Sequence, residues 1–184
     1  MKLAPHIVAL ALLLPLTACN RNATPGASVN TYAFKAADGS YTINFPGKPT
    51  EKSQSLQTPI GPILLIIQTY ESKFGRRAFF SSSVRYNIRP SRYNVEKGLD
   101  GARDGSAKNV HGTVNRETKI NYRGVPGRQY YIDAPDHVMI KCHIYIDNSG
   151  PGPMVYQAFV VDQNGSVDDA EVNRFLDSLT FNPG

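Results

Sequence analysis

The chain has 184 residues, 41% of them hydrophobic and 19% charged, with ten tyrosines, no tryptophan and a formal net charge of +5. This is the balance of a folded domain and not of a disordered chain. Beyond the N-terminal segment no apolar run approaches the roughly 20 residues of a membrane helix, and no nucleic-acid-binding motif accompanies the basic charge, so neither a transmembrane domain nor a nucleic-acid partner is expected.

Residues 1–18 carry one basic residue, Lys2, then an apolar stretch from Ile7 to Leu16 with Pro15 near its end. These are the n- and h-regions of a secretory signal peptide. The stretch closes with Leu16-Thr17-Ala18-Cys19, which resembles a bacterial lipobox. By that resemblance Cys19 becomes the mature N-terminus and its sulfur carries a diacylglycerol. One acyl chain binds a membrane only marginally, whereas two or more anchor stably. The plainer reading is an ordinary signal peptide with an incidental cysteine. Residues 19–30 then form a polar tether with a reach of roughly 18 Å, and residues 31–184 a single globular domain. The expected location is the bacterial cell envelope, anchored to the membrane through lipid on Cys19. Asn20 after the cysteine points, by enterobacterial sorting habits, to the outer membrane, facing the periplasm.

The domain begins with strand signals. Tyr32–Lys35 and Tyr41–Phe45 flank Asp38-Gly39, a hairpin dipeptide, and Pro46 and Pro49 stop the second strand. Glu51–Gln57 and Ile63–Glu71 flank the turn Pro59-Ile60-Gly61-Pro62. The second of these opens with the continuous apolar run ILLII, as a strand buried on both faces would. After Gly75-Arg76-Arg77, a strand over Ala78–Ile88 puts Phe80, Ser82, Val84, Tyr86 and Ile88 on one face.

The period then changes. Val95, Leu99, Ala102 and Ser106 form a helical stripe with Ser91 as N-cap, and Arg92, Glu96, Asp100, Arg103 and Asp104 read as its solvated face. Strands resume at Thr113–Asn121, Arg128–Asp133, Val138–Asp147 and Met154–Asp162. Gly124-Val125-Pro126-Gly127, Ala134-Pro135-Asp136 and Gly150-Pro151-Gly152-Pro153 are the turns between them. A second helix buries Val172, Phe175, Leu176 and Leu179, with Ser166 and Asp169 as a capping box. Short connections imply antiparallel neighbours, and the economical solution is an α+β fold in which an antiparallel sheet of roughly six to nine strands is flanked by two main helices.

Charge is unevenly placed. Residues 73–128 hold 13 Lys and Arg against 4 Asp and Glu, while residues 129–184 hold 2 against 8. Either the two segments interleave and their charges offset, or Arg76, Arg77, Arg85, Arg89, Arg92, Arg123 and Arg128 form a basic face for an anionic protein or lipid surface.

Signals for catalysis are sparse. His111, His137 and His143 show no metal-ligand spacing, and there is no H-E-x-x-H, P-loop or G-x-G-x-x-G sequence. Ser81-Ser82-Ser83 lies mid-strand, unlike a nucleophile elbow. Cys142 shares a strand face with Ile140, Ile144 and Ile146 and reads as a buried, inert thiol. No catalytic residue, metal site or cofactor is therefore assigned.

The segments YTINFPGKP, LDGARDG, GVPGRQYY and VNRFLDSLTF occur in this order. Over about residues 31–182 the layout resembles the PsbP-like α/β/α sandwich domains in their bacterial lipoprotein branch. The resemblance implies a non-enzymatic accessory or assembly role, as in the photosystem II extrinsic subunit, although the missing tryptophan departs from that subunit's pattern. The expected function is a lipid-anchored, non-enzymatic domain that binds or helps assemble another envelope component. The alternative is a small hydrolase-like envelope enzyme with a site assembled across the fold.

Overall fold

The computed structural model of the chain describes residues 31–58, 61–72 and 75–183. The signal peptide, Cys19 and the tether lie outside the described residues, as do Pro59 and Ile60 of one expected turn. Strands β1 (Tyr32–Lys35) and β2 (Tyr41–Phe45) form the first hairpin, and β3 (Thr50–Thr58) and β4 (Gly61–Ser72) the second. Then come β5 (Arg77–Arg85), helix α1 (Val95–Asn109), β6 (Thr113–Tyr122), β7 (Val125–Asp133), β8 (Met139–Asp147), β9 (Met154–Asp162), helix α2 (Ala170–Asp177) and a short β10 (Thr180–Phe181).

The strands make two antiparallel sheets, one of three strands ordered β1-β2-β10 and one of seven ordered β3-β4-β5-β9-β8-β7-β6. The α+β class and the antiparallel pairing are as expected, but the single sheet flanked by two helices is not: β1, β2 and the added β10 pair only with one another and form a second sheet that packs with α2 on one face of the first. The connection through α1 carries the chain from β5 to the far edge, and the β6–β9 meander returns so that Arg77 of β5 lies opposite Asp162 of β9.

Alternation along the central strands divides the core in two. Phe79, Tyr131, Tyr145, Ala158 and Val160 face β2 and α2, where Ile43, Phe45, Val172, Phe175 and Leu176 complete one cluster. Phe80, Tyr130, Ile132, Ile140, Cys142 and Ile144 face the other way, with Leu99 of α1 in that cluster. Thus α1 covers one face of the large sheet, and the small sheet with α2 covers the other.

Five local expectations are corrected. The N-cap of α1 is Asn94, whose side chain accepts from the Lys97 N–H, because Pro90–Arg92 form a 3₁₀ turn that takes Ser91 out of the capping position. The N-cap of α2 is Asp169, which accepts from Glu171 and Val172. Strand β5 ends at Arg85, although Tyr86 still donates to the Pro153 carbonyl. The turn before β7 is only Arg123-Gly124, with φ of 50° and 89°, and Val125 already pairs with Tyr122. Pro126 is tolerated there because β8 pairing begins only at Gly127, so no neighbour needs its missing donor.

The fifth correction concerns β4. Leu65 and Ile67 are buried, but Leu64 and Ile66 are 62% and 41% exposed. The apolar run is covered on one face only, because the small sheet does not extend over this end of the hairpin.

Candidate functional site

The uncovered half of the β4 run marks the candidate site. β4 is paired with β3 from Gly61 to Thr69, but with β5 only from Ile66 to Ser72. β5 continues alongside β9 as far as Arg85. The two strands therefore part after the Ile66–Ser83 pair, and a cleft of about 440 Å³ opens at the split. Leu64, Ile66 and Met154 supply apolar floor, and Phe34, Ala37 and Tyr41 of the β1–β2 hairpin supply the wall. A volume of this size falls in the range of ligand and side-chain pockets.

The wall is pinned to the sheet by two hydroxyl pairs, Tyr41 with Ser81 and Ser40 with Ser83, both at 3.0 Å. Burial pushes the Tyr41 phenol up to about 12, outweighing the opposing hydrogen bond from Ser81, so it stays protonated. At the rim Asp38 accepts from the Ser40 N–H, Glu51 accepts from Gln68 at 2.7 Å, and Arg85 donates to the Gly152 carbonyl at 3.0 Å. Arg85 has no carboxylate partner among the described residues. Among the described residues the cleft thus offers apolar contact bordered by one cation, Arg85, and two carboxylates, Asp38 and Glu51, an arrangement that suits binding. The described residues that line it include no histidine or cysteine.

The seven arginines singled out in the sequence do not share one face. Arg77 is only 3% exposed and is held by Asp162 at 2.8 Å, Asp169 at 2.6 Å and Glu171 at 2.9 Å. Arg128 is buried against the opposite face, where it meets Glu96, Asp100 and Glu117. Arg123 lies over the Tyr122 ring and reaches Asn182. Arg76, Arg85, Arg89 and Arg92 are exposed. For Arg77 and Arg116 the interleaving reading applies, since both pair with carboxylates of the acidic C-terminal third. The helix residues Glu96, Asp100, Arg103 and Asp104 are not merely solvated, for they form an ion network with Glu117, Lys119 and Arg128.

A second polar cluster had no sequence signal. Asp168 accepts from Tyr131 at 2.7 Å, Lys141 at 3.0 Å and Arg116 at 2.7 Å. Burial alone would raise its carboxyl, but those three donors outweigh it and hold the group down to about 2. Its geometry ties the start of α2 to the sheet.

The histidines are dispersed. His111 and His137 are exposed with φ of 52° and 61°, closing the end of α1 and the β7–β8 turn. His143 is buried beneath α2 with Nε2 at 2.8 Å from Gln129 Oε1, and burial pushes its imidazole down to about 4. Cys142 is buried on the other face, where burial lifts its thiol to about 12 against the opposing hydrogen bond from Tyr130. Among the described residues no group of three or more His, Cys, Asp or Glu side chains is placed to hold a metal ion.

Sequence reasoning passed over Leu64 and Ile66 because a continuous apolar run has the same pattern whether both its faces are buried or one is left open for a partner. Neither a protein-family model nor a curated protein matches the chain.

Proposed function

We propose that this protein is a lipid-anchored, non-enzymatic domain of the bacterial envelope, tethered by Cys19 to the outer membrane and facing the periplasm, that binds or helps assemble another envelope component through the β4–β5 cleft. The observation that carries the reading is the outward half of the β4 apolar run, with Leu64 62% exposed at the mouth of a concave site. Exposed apolar groups gathered at a concavity mark interaction sites more than scattered ones do. The layering of a helix, a sheet, and a second layer containing a helix supports the PsbP-like sandwich and the accessory role that goes with it. Any anionic surface would be met through Arg76, Arg85, Arg89, Arg92 and Arg123, since Arg77 and Arg128 are spent inside the domain.

The test is photocrosslinking in intact cells of the source bacterium. A diazirine side chain replaces Ala37 on the cleft wall, and in a control it replaces His111 at the far end of α1. The expected outcome is a defined envelope-protein adduct from position 37 that is absent from position 111 and is lost in Ile66→Ser. Equal labelling from both positions would refute docking at the cleft.

A further inference from the structure

The split between β4 and β5 exposes backbone as well as side chains, and this inference rests on the docking reading above. Proline in a paired strand must sit where its nitrogen faces away from the ladder. Pro62 is paired with Gln57 of β3, so its donor-less nitrogen faces the split and not β3. Residues along an antiparallel strand alternate in the direction of their N–H and C=O groups. Leu64, two residues on, therefore presents both its N–H and its C=O to the split, where β5 no longer pairs with β4. Its side chain lies on the cleft face with that of Ile66, and Arg85 stands on the same face across the split. An unpaired strand segment, an exposed apolar pair and a cation without a carboxylate partner among the described residues thus meet at one cleft, whose two carboxylates are engaged elsewhere, Glu51 by Gln68 and Asp38 by the Ser40 N–H.

These groups specify an occupant. Unpaired strand backbone is satisfied by another extended segment, alternate side chains supply specificity, and a guanidinium favours a carboxylate. We propose that the partner enters the split as an extended segment that pairs with the inner edge of β4 at Leu64, lays apolar side chains on Leu64 and Ile66, and sets a carboxylate against Arg85. The outer edges of the large sheet are less suited. β6 carries a register shift between Val114 and Arg116 and is lined with Arg116, Glu117 and Lys119, the features that discourage strand addition. The cleft-side neighbours of β3 are Glu51, Ser53 and Ser55, which offer no apolar contact to an added strand.

The test uses the full chain carrying the crosslinker at Ala37. Leu64→Ala removes the side chain, and Leu64→Pro removes in addition the donor aimed at the split while leaving the β3 ladder intact. The expected result is an adduct at least about ten-fold weaker in Leu64→Pro than in Leu64→Ala, with equal melting temperatures, and a comparable loss in Arg85→Glu that Arg85→Lys partly restores. Mass spectrometry of the wild-type adduct should place the crosslink in a segment of alternating apolar residues with an acidic group within reach. Equal adducts in Leu64→Pro and Leu64→Ala, or an unaffected Arg85→Glu, would overturn strand addition while leaving docking intact. Should Leu64→Pro lower the melting temperature, Arg85→Glu and the crosslinked sequence decide the matter. An adduct of two copies of this chain would replace the partner by self-association, and no adduct from position 37 would remove the docking reading itself.

Discussion

At the scale of single residues, buried charge decides more than exposed charge. Arg77 emerges from the sequence as one of seven basic candidates, yet its guanidinium is enclosed by Asp162, Asp169 and Glu171 and also donates to the Ser166 carbonyl. Removing Arg77 strands the Asp162 carboxylate, whose side chain is only 6% exposed, while Asp169 and Glu171 keep some contact with solvent. Arg77→Ala should therefore cost about 3–5 kcal/mol, read from denaturant unfolding. A loss below about 1 kcal/mol would mean that Asp162 is rescued by solvent.

His143 makes the complementary case. Unfolded, its imidazole takes up a proton near pH 6.5; folded, it does so only near 4 because of burial, with Gln129, Lys141 and Asp177 around it. Between those values the unfolded chain binds more protons, so stability is full above about pH 6.5 and falls as pH drops toward 4. The share from this group is roughly 3 kcal/mol, at 1.36 kcal/mol per pKa unit. His143→Asn should flatten the stability profile between about pH 6.5 and 4, and an unchanged slope in that window would assign it to other groups.

At the scale of elements, the ends of the helices and strands show how local signals are overruled by neighbours. α1 closes where His111 takes positive φ, with His111 donating to the Lys108 carbonyl and Gly112 to the Ala107 carbonyl. That pairing satisfies two of the last helical acceptors. Gly127 reads as a turn glycine beside Pro126, but it lies inside β7 opposite Tyr145. A Cβ there would sit 2.5 Å from the Ile144 carbonyl oxygen and 2.6 Å from the Tyr145 ring, so what the position requires is close backbone approach and not a turn conformation. Gly127→Ala should cost about 1–3 kcal/mol by thermal unfolding. A neutral substitution would show that β7 and β8 separate locally without penalty.

At the scale of the whole molecule, the proposal links an anchor, a tether and a cleft. Cys19→Ser should move the protein from the membrane fraction to the soluble periplasmic fraction. Retention with membranes after a high-salt wash would refute the lipid anchor. The charge asymmetry of the chain is partly consumed at this scale, because the sheet brings β5 against β9 and sets Arg77 of the basic segment beside carboxylates of the acidic one. The sequence totals do not translate into one face holding all seven arginines, since Arg77 and Arg128 are buried on opposite faces of the large sheet.

The alternation within strands and the 3.6-residue stripes of the helices by themselves determined most of the elements and their antiparallel relation. Those periods reflect which side chains lie on one side of a short segment. Tyr41, Ile43 and Phe45 on β2, and Ile140, Cys142, Ile144 and Ile146 on β8, are buried as their spacing demands. What only the tertiary structure decided was which faces would be covered. β10 exists because α2 returns the chain beside β2, which a two-residue segment cannot signal. Leu64 and Leu65 are the same residue type one position apart, yet Leu65 joins a core while Leu64 is left at an open split. Burial depends on what packs over a residue from distant parts of the chain, and that is a property of the assembled layers and not of the local pattern.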